Sequence, residues 1–575
     1  MNSYKSRTLK QDIIILVFFL IICLGSIVLG QFIKANNPIY IALAAPLSGT
    51  EAIEGTSVVQ GAELAIARIN DAGGVNGKKL KLLLFDDRGT PDLAEEVAGE
   101  IASQSPAVAV LGHYFSTSSL PAGRIYQKFG IPAIASAATA DALTLNNPWY
   151  FRVVAPNRIQ GAFMAYYINK ILERDRIGVV YESQDAYSQS LADAFIEMFE
   201  EVGGEVKRVW NIDSRDRESS TRGILNDLQA NLDEIDTLYL PVQLIDYLNL
   251  TIPLKRQGLD YKIIGSDATT DIFATYERLS QYPEEQKQPG YFLEGVLAPS
   301  SLIFDVAGRQ AQQFRNDYLK TYNAEPGWAA SHVYDAVQIL AKAIRESSIQ
   351  GDRNNLKQER QKLRDTLASF DSPEYSMQGV TGTIYFDKNG DVLEPFAMGR
   401  FQQNRLISAL IQLQPVTNPV GVIDLERELA EGRILKIGDR YLYKTNIVHT
   451  GIDINEIKNI DEKNSSYLVD LFLWFHHLKG IDAANIEFTN YSTGRLDSGE
   501  SLKLQEPIKF KNSQFGQYSL YRVNADFQKR FAFYHYPFDR QQLMLGFHHK
   551  NLTRNQIIYV VDWVGMRDIN ANDIV

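Results

Sequence analysis

Metal-binding chemistry is the first possibility that the residue types raise, because the chain contains two adjacent histidine pairs, His476-His477 and His548-His549. Neighbours along a strand point to opposite faces, so neither pair chelates one ion easily, and packing is the expected role. Asp387-Lys-Asn-Gly-Asp391 resembles the start of a calcium loop but lacks the distal bidentate acid, and Asp-x-Asn-Gly is ordinary hairpin chemistry. The sequence has no phosphate-binding glycine loop and no Gly-x-Ser-x-Gly elbow. We therefore predict no metal site, no cofactor and no enzymatic activity.

The elements that must position any site alternate between strands and helices after Asn36. Apolar runs typical of buried strands occur at 39–44, 80–85, 107–111, 177–181, 237–240 and 263–264. Two segments with apolar residues at helical spacing separate the first three of these runs. The first segment has Val58, Gly61, Ala62, Ala65 and Ile69 on one face, and the second has Ala94, Val97, Ala98 and Ile101. Repeating β-α units of this kind give parallel sheets with ligands at the carboxyl ends of the strands. The length of this region predicts two such lobes with a cleft.

Several short motifs occur in an order and spacing that are specific when taken together. They are Gly61–Gly77, Asp86-Asp87, Gly130-Ile-Pro-Ala-Ile134, Tyr334-Asp-Ala336 and Gly382–Gly390. On these motifs, residues 38–413 resemble the type I periplasmic binding proteins for branched-chain and other amino acids. The resemblance implies a two-lobed α/β domain that clamps a free amino acid between its lobes.

The resemblance also implies a ligand site. Ser116 would meet the ligand carboxylate, while the Ala137 carbonyl and the Thr139 hydroxyl would lie near the ammonium group. Tyr187 matches the aromatic residue of the second lobe, and Asp267 matches the acid that pairs with the ammonium group. A zwitterion in a closed cleft needs donors at one end and an anion at the other, and this set supplies both. The alternatives are loop residues satisfied by the backbone and, for Asp267, a helix N-cap.

Two positions depart from the family pattern. Ser188 follows Tyr187 where the family usually has glycine, which leaves the local turn open. Glu54 falls where an apolar or aromatic wall often contacts the ligand side chain. We therefore expect a polar amino acid or derivative as the ligand, in preference to a branched-chain one.

Residues 1–35 contain the apolar run Ile13–Gly30, which is long enough to span a bilayer and follows Lys5, Arg7 and Lys10. This positive flank predicts a cytoplasmic N-terminus and an extracytoplasmic, membrane-anchored chain. A cleaved signal peptide is the alternative, since small residues end the run. The only cysteine, Cys23, lies in this run, so no internal disulfide is expected.

A linker with a short charged helix is predicted at 414–440, and from residue 441 onward the pattern changes to strands. Ser466–Phe475 alternates strictly, with Tyr467, Val469, Leu471, Leu473 and Phe475 on one face. Regular strand and turn spacing predicts an all-β antiparallel sandwich over 441–575.

Three segments of this region, Gly451–Asn464, Leu473–Phe475 and Tyr536–Gln541, together resemble the extracellular domain of pentameric ligand-gated ion channels, the Cys-loop receptor family. The resemblance implies that Gly451–Asn464 forms the first strand pair with its intervening loop. It also implies a coupling loop, which in channels rests on the membrane domain and is formed here by Tyr536, Pro537, Phe538 and Asp539. A homo-pentamer is a further implication.

The sequence stops at Val575, before the last sandwich strands and any pore helices, so we expect a fragment of a longer receptor; a domain kept for docking is the alternative. The leading prediction is an extracytoplasmic sensor that binds an amino-acid-like solute and is coupled to a channel-like domain. The alternative is the solute-binding component of an ABC-type amino-acid transporter. The formal net charge of −11 argues against a nucleic-acid partner.

Overall fold

The structure of the chain is a computed structural model. It describes residues 37–231, 234–416, 418–422, 424–437, 440–491, 502–513, 516–534, 538 and 540–568. The predicted membrane run at 13–30, Cys23 and three coupling-loop residues (Tyr536, Pro537 and Asp539) lie outside these ranges. Across the described ranges, every helix is too short or too polar to cross a bilayer.

The α-helices are numbered in chain order. They are α1 Ala52–Asp71, α2 Pro91–Gln104, α3 Ser116–Phe129, α4 Asn157–Tyr166, α5 Ala186–Glu201, α6 Arg217–Ala230, α7 Leu244–Arg256, α8 Asp267–Thr270, α9 Ile272–Leu279, α10 Pro283–Lys287, α11 Arg309–Tyr322, α12 Trp328–Glu346, α13 Leu356–Ala368 and α14 Leu425–Ala430.

The strands follow the same convention. They are β1 Ile39–Ala45, β2 Leu80–Asp86, β3 Val110–Gly112, β4 Ala133–Ala135, β5 Tyr150–Arg152, β6 Arg176–Tyr181, β7 Glu205–Asn211, β8 Thr237–Tyr239, β9 Lys262–Ile264, β10 Leu297–Ser300, β11 Met377–Gln378, β12 Thr383–Ile384, β13 Ala397–Gln402, β14 Arg405–Ser408, β15 Ile411–Pro415, β16 Ile434–Ile437, β17 Arg440–Asp461, β18 Ser466–His477, β19 Ile486–Phe488, β20 Lys509–Ser513, β21 Gly516–Gln528, β22 Phe547–His549 and β23 Ile557–Val561.

The chain divides into two compact units. The first comprises the described residues up to Pro156, Asp185–Tyr187 and Asn316–Glu394. The second comprises Asn157–Gln184, Ser188–Arg315 and the described residues from Pro395 onward.

A parallel five-stranded sheet in the order β2-β1-β3-β4-β5 forms the centre of the first unit. Both predicted helix faces, at 58–69 and 94–101, are buried. Helix α1 approaches α12 closely, because a Cβ added at Gly61 would lie 2.3 Å from the Ala330 carbonyl oxygen. The strand predicted at 107–111 is shifted and shorter, since only Val110–Gly112 pairs regularly as β3. The predicted alternation of strands and helices is confirmed, and it directs the loops after β1, β3 and β4 to one edge of the sheet.

The second unit contains a seven-stranded sheet in the order β14-β13-β10-β9-β8-β6-β7. Its strands from β10 to β7 are parallel, whereas β13 and β14 run antiparallel to their neighbours. The predicted strands at 177–181, 237–240 and 263–264 are its members β6, β8 and β9. The loops after β8 and β9 therefore leave a common edge of this sheet.

A separate, mostly antiparallel sheet in the order β15-β17-β18-β21-β20 occupies the C-terminal part of the second unit. The predicted apolar face of β18 is confirmed, since Tyr467, Val469, Leu471, Leu473 and Phe475 are at most 5 % exposed. Phe488 of β19 and Phe547 of β22 pack on the same core. Not every pairing is antiparallel, because β23 runs parallel to β17.

Gly451–Asn464 does not form the strand pair that the channel resemblance implied. Its residues up to Asp461 belong to the single 22-residue strand β17, which pairs with β18 through two irregularities in register. The turn to β18 covers residues 462–465, with Ser465 at a φ of +53°. The channel resemblance implied a loop within this segment, but backbone pairing to β18 keeps the stretch up to Asp461 extended.

The C-terminal sheet and the seven-stranded sheet are joined by buried hydrogen bonds within the second unit. The Gln412 side chain accepts from the Met398 N–H (2.8 Å) and donates to the Met398 carbonyl (2.7 Å). The Tyr167 hydroxyl donates to the Ile411 carbonyl (2.9 Å), and the His449 ring Nε2 donates to the Ser408 carbonyl (2.9 Å). Part of the predicted linker is also strand, since β16 pairs with β17. This junction is therefore held by specific contacts.

The buried Asp562 carboxyl makes the stability of the C-terminal region depend on pH. Burial alone would raise the pKa of the Asp562 carboxyl, but the His476 imidazole, the Gly565 N–H and the Trp474 indole lower it to about 2. A depressed acid contributes stability above its unfolded pKa of about 3.9, and that stability is lost as the pH falls from about 4 to 2.

We therefore expect Asp562→Asn to lower the free energy of unfolding by about 2 kcal/mol at pH 7. The difference from the unmodified chain should shrink steadily below pH 4 and vanish near pH 2. Urea unfolding at a series of pH values measures it, with the exposed Glu462→Gln as a charge-matched control. A difference that does not depend on pH would show that the carboxylate charge is irrelevant.

Candidate functional site

Ser116 is the first residue of α3, and its hydroxyl organises the loop that follows β4. The Ser116 Oγ accepts hydrogen bonds from the backbone N–H groups of Thr139 (3.1 Å) and Ala140 (3.0 Å), and its side chain is fully buried. A hydroxyl that accepts two bonds still has its own hydrogen to donate. Ser116 therefore fixes the loop and keeps one donor for a ligand.

Two further hydroxyls belong to the same region, those of Ser118 in the first turn of α3 and of Thr139 in the loop. Both side chains are completely buried, and neither oxygen has a hydrogen-bond partner among the described residues. An unpaired buried hydroxyl costs about 1–3 kcal/mol, so such groups call for a partner in the functional state. The first turn of a helix adds backbone donors and the positive end of the helix dipole. Ala137, whose carbonyl was a predicted ligand contact, precedes Thr139 and is 9 % exposed.

A buried ion pair anchors the loop that follows β4. The Arg152 guanidinium donates to Asp391 Oδ1 (2.6 Å from Nη2) and to the Ala140 carbonyl (2.9 Å from Nη1), and both charged side chains are wholly buried. Asp391 ends the Asp387–Asp391 turn, in which Asp387 Oδ1 accepts the N–H groups of Asn389 and Asp391, as hairpin chemistry predicted. The Asp387–Asp391 turn therefore supplies the carboxylate that holds Arg152 in place to bond the Ala140 carbonyl.

The residues just before Ser116 are held by a second buried network. His113 Nδ1 lies 2.5 Å from Asp87 Oδ2, and its Nε2 lies 2.9 Å from the Tyr126 hydroxyl. The Ser119 hydroxyl donates to the His113 carbonyl (3.2 Å). All four side chains are fully buried and joined by these hydrogen bonds, so this network positions the start of α3.

Helix α1 brings two more polar side chains to the first unit's interior. Glu54 is 4 % exposed, and Ser57 is fully buried with a hydroxyl that lacks a partner in the described part of the chain. The helix begins against the loop after β1, because a Cβ added at Gly55 would lie 1.9 Å from the Pro46 carbonyl oxygen. Glu54 and Ser57 therefore follow the carboxyl end of β1.

In the second unit, Asp267 directly follows the short connection after β9 and is 2 % exposed. Ser266, not Asp267, occupies the N-cap of α8, so the N-cap alternative for Asp267 is wrong. The Asp267 N–H donates to Gln160 Oε1 (3.2 Å), while the Gln160 amide nitrogen has no partner within the described ranges. Tyr239 ends β8 with an equally unpaired buried hydroxyl, and burial together with the Asp267 charge raises the Tyr239 pKa well above its usual value. The second unit thus gathers an acid, a phenol that stays protonated and an amide.

Tyr187 is 5 % exposed and lies with Asp185 and Ala186 in the first unit. The Thr117 hydroxyl donates to Asp185 Oδ1 (2.6 Å) and accepts from the Ala186 N–H (3.0 Å), which ties this segment to the first turn of α3. Ser188, which stands where the family usually has glycine, begins the following stretch of the second unit.

The Ser188 side chain stabilises the turn at the position where the family usually has glycine. Its hydroxyl accepts from the Glu182 N–H (2.8 Å) and donates to the Pro241 carbonyl (2.5 Å), so it stabilises the turn in place of a glycine conformation.

The structure adds polar groups that the sequence did not single out. In the first unit they are Ser57 and Ser118, and in the second unit they are Tyr239 and Gln160. Ser118 lies in the same hydroxyl-rich run as Ser116, and Tyr239 is the residue before the end of the strand predicted at 237–240, so position relative to a strand end was a usable signal. The absence of a partner, which distinguishes these groups, depends on the tertiary structure.

Ser116 and Thr139 make a matched pair for mutation. Ser116→Ala leaves two buried N–H groups unpaired, so we expect a loss of about 1–3 kcal/mol in the free energy of unfolding together with weaker ligand binding. Thr139→Val keeps the shape and removes a hydroxyl that the fold does not use, so we expect unchanged or slightly higher stability but weaker binding. Thermal unfolding with and without ligand separates the two. Equal losses of stability in both variants would contradict the assignment of the Thr139 hydroxyl to a ligand.

Comparisons with known proteins identify the family of the α/β region. The sequence model of the periplasmic binding protein family matches residues 38–405. An "amino acid binding protein" of Pseudomonas aeruginosa is 31% identical over 64% of this chain and 91% of its own length. The Leu/Ile/Val-binding protein of Escherichia coli is 33% identical over 63% of this chain and 90% of its own length.

Among solved structures, the substrate-binding protein LivJ of Streptococcus pneumoniae, in complex with isoleucine, superposes with a TM-score of 0.55. Its sequence is 23% identical, and the match covers 64% of this chain and 98% of LivJ, which shows the shared two-lobed α/β fold. The family match ends at residue 405, so the resemblance of residues 441–575 to channel domains stays a prediction.

Proposed function

Because the chain belongs to the periplasmic binding protein family over residues 38–405, we propose that it binds a free amino acid outside the cytoplasm, as the solute-binding component of an ABC-type transporter. Two relatives whose names state amino-acid binding, in P. aeruginosa and E. coli, support this ligand class. The observation that carries the proposal is the chemistry of the two groups of buried polar residues, one in each unit.

The first unit offers the carboxylate end of an amino acid its partners. Ser116 retains a donor, Ser118 presents a buried hydroxyl without a partner among the described residues, and the first turn of α3 contributes helix N–H groups. The Thr139 hydroxyl, equally without a partner there, is kept for the ammonium group as the family resemblance implied. Hydrogen bonds from several such donors stabilise an anion that has been removed from water.

The second unit offers the opposite polarity. Asp267 is a buried carboxylate that suits an ammonium group, and the Gln160 and Tyr239 side chains hold polar atoms that have no partner among the described residues. A ligand ammonium group at Asp267 would form a charge-assisted hydrogen bond, the stronger kind of polar contact. A zwitterionic amino acid carries a group suited to each set, whereas a neutral sugar lacks both charges and a plain organic acid lacks the ammonium group.

The ligand's side chain is proposed to be polar. Glu54 is a nearly fully buried acid on α1, three residues before the unpaired hydroxyl of Ser57, at the position where the family resemblance implied an apolar wall. A side chain able to donate hydrogen bonds would suit this wall better than an aliphatic one.

The proposal is tested by screening the twenty amino acids against the full chain by thermal shift, followed by calorimetric titration of each hit. Sugars and non-amino organic acids serve as controls. A specific amino acid with micromolar or tighter affinity is the expected result, and a polar one would also support the role of Glu54. Binding confined to sugars or plain acids would overturn the ligand class.

A channel-coupled sensor is the second candidate, and the hydrogen-bonded junction between the seven-stranded sheet and the C-terminal sheet favours it. Gln412 and His449 join these sheets through buried bonds, so a ligand-induced change in the second unit could reach the C-terminal strands. Hydrogen exchange of β17 and β18 with and without the amino acid distinguishes the candidates. Altered exchange in these strands supports the sensor, and unchanged exchange favours a carrier alone.

A further inference from the structure

A groove on the first unit lies outside the candidate ligand site. It runs between the C-terminal end of α3 and the exposed side of α13, and it has a volume of about 780 Å³. Phe129 and Trp149 provide its aromatic surface, and Phe129 is 44 % exposed. A large, partly exposed aromatic side chain beside a groove marks a surface that can bind another molecule.

The charge of this groove is opposite to that of the protein. Lys128, Lys357 and Lys362 line it, and none of the three makes an ion pair with a described residue. Its one acid, Asp365, is already paired with Arg364 (3.1 Å), which itself lies over the Trp149 ring at 5.3 Å. In a chain with a formal net charge of −11, three unpaired lysines around an aromatic surface form a local positive site.

We propose that this α3–α13 groove binds an acidic, partly apolar segment of a partner protein. Carboxylates of such a segment would complement the three lysines, while its apolar side chains would cover Phe129 and Trp149. A peptide suits the groove better than a small anion, because small-molecule sites enclose most of their ligand and this groove is lined by exposed lysines and an exposed phenylalanine. The negative charge of the whole chain argues against nucleic acid.

The groove is independent of the ligand site. Ser116 begins α3 and Phe129 ends it, and a helix of this length separates them by about 20 Å. Substitutions in the groove should therefore leave amino-acid binding unchanged. The amino-acid titration thus reports whether a groove variant is folded.

The experiment measures fluorescence anisotropy of a labelled peptide of glutamates and leucines on the full chain. A peptide with lysine in place of glutamate is its counterpart. We expect the acidic peptide alone to bind, more weakly as salt rises, and the triple variant Lys128→Gln, Lys357→Gln, Lys362→Gln to weaken it at least about tenfold. The matched control replaces the exposed Lys81, Lys287 and Lys320 by glutamine, which changes the net charge equally and should have little effect.

Three results would overturn the proposal. They are no binding of the acidic peptide at about 1 mM, equal loss in the groove and control variants, or competition by free glutamate or inorganic phosphate at the concentration of peptide that saturates the groove. The last result would identify a small-anion site instead. Phe129→Gln tests the apolar part separately, since it should weaken the glutamate–leucine peptide but not a peptide of glutamate and glycine.

Discussion

Replacing Asp267 by asparagine should weaken amino-acid binding by about a hundredfold or more, the largest effect on affinity expected from any single change to the site. Removing one partner of a buried charge pair costs about 2–5 kcal/mol, and each 1.4 kcal/mol is a factor of ten. Asp267 is 2 % exposed, so solvent cannot screen the unpaired ammonium group that the variant would leave. Calorimetric titration of the hit from the amino-acid screen measures the loss.

The effect of the same substitution on the free energy of unfolding should be much smaller than its effect on binding, because asparagine keeps the size and shape of the aspartate side chain. Asp260→Asn, at an exposed position in the second unit, is the matched control and should alter neither affinity nor stability. An Asp267→Asn chain that binds as tightly as the unmodified one would show that the ammonium group is recognised elsewhere, even if amino-acid binding itself is confirmed.

The α/β part of the fold could be predicted because its signals are local. Apolar runs such as Ile39–Ala44 and the helical spacing of Val58, Ala62 and Ala65 reflect burial directly, and the structure has both as predicted. Strand ends also located the polar loops, since Ser116 and Thr139 follow β3 and β4. Local pattern was therefore enough to place these predicted site residues in sequence relative to the sheet.

What the sequence did not reveal depends on contacts between distant residues. Arg152 and Asp391 are 239 positions apart, and nothing local marks either as half of an ion pair beneath the site. The lack of a partner for the Ser57 and Tyr239 hydroxyls is likewise visible only in the folded chain. In the C-terminal sheet, the channel resemblance implied a strand pair with a loop over Gly451–Asn464, but long-range pairing with β18 continues one strand to Asp461.

These long-range contacts also connect stability with binding in the first unit. The Arg152 guanidinium bonds the Ala140 carbonyl, and the Ala140 N–H bonds the Ser116 hydroxyl. The loop that carries Thr139 is therefore held from two sides by groups that need not touch a ligand. Binding residues with unpaired hydroxyls require such support, because a loop free to move would satisfy them with water.

Arg152→Met should lower the free energy of unfolding of the first unit by about 3–5 kcal/mol, the largest stability effect expected from a single substitution in this chain. Methionine fills part of the space, but it leaves the Asp391 carboxylate fully buried without a cation. The Thr144 hydroxyl, which donates to Asp391 Oδ1 (2.7 Å), cannot compensate for a whole charge. Urea unfolding followed by circular dichroism measures the change.

Two further variants identify the cause of the stability loss in Arg152→Met. Arg176→Met removes an arginine from an exposed pair with Asp175 (3.8 Å) and should cost less than about 1 kcal/mol. Adding Asp391→Asn to Arg152→Met removes the stranded charge and should recover part of the lost stability, though not the bond to the Ala140 carbonyl. Amino-acid affinity should remain reduced in this double variant, because Thr139 still lacks its support. Full recovery of affinity alongside stability would mean that charge burial alone, and not the anchoring of the loop, links this ion pair to the site.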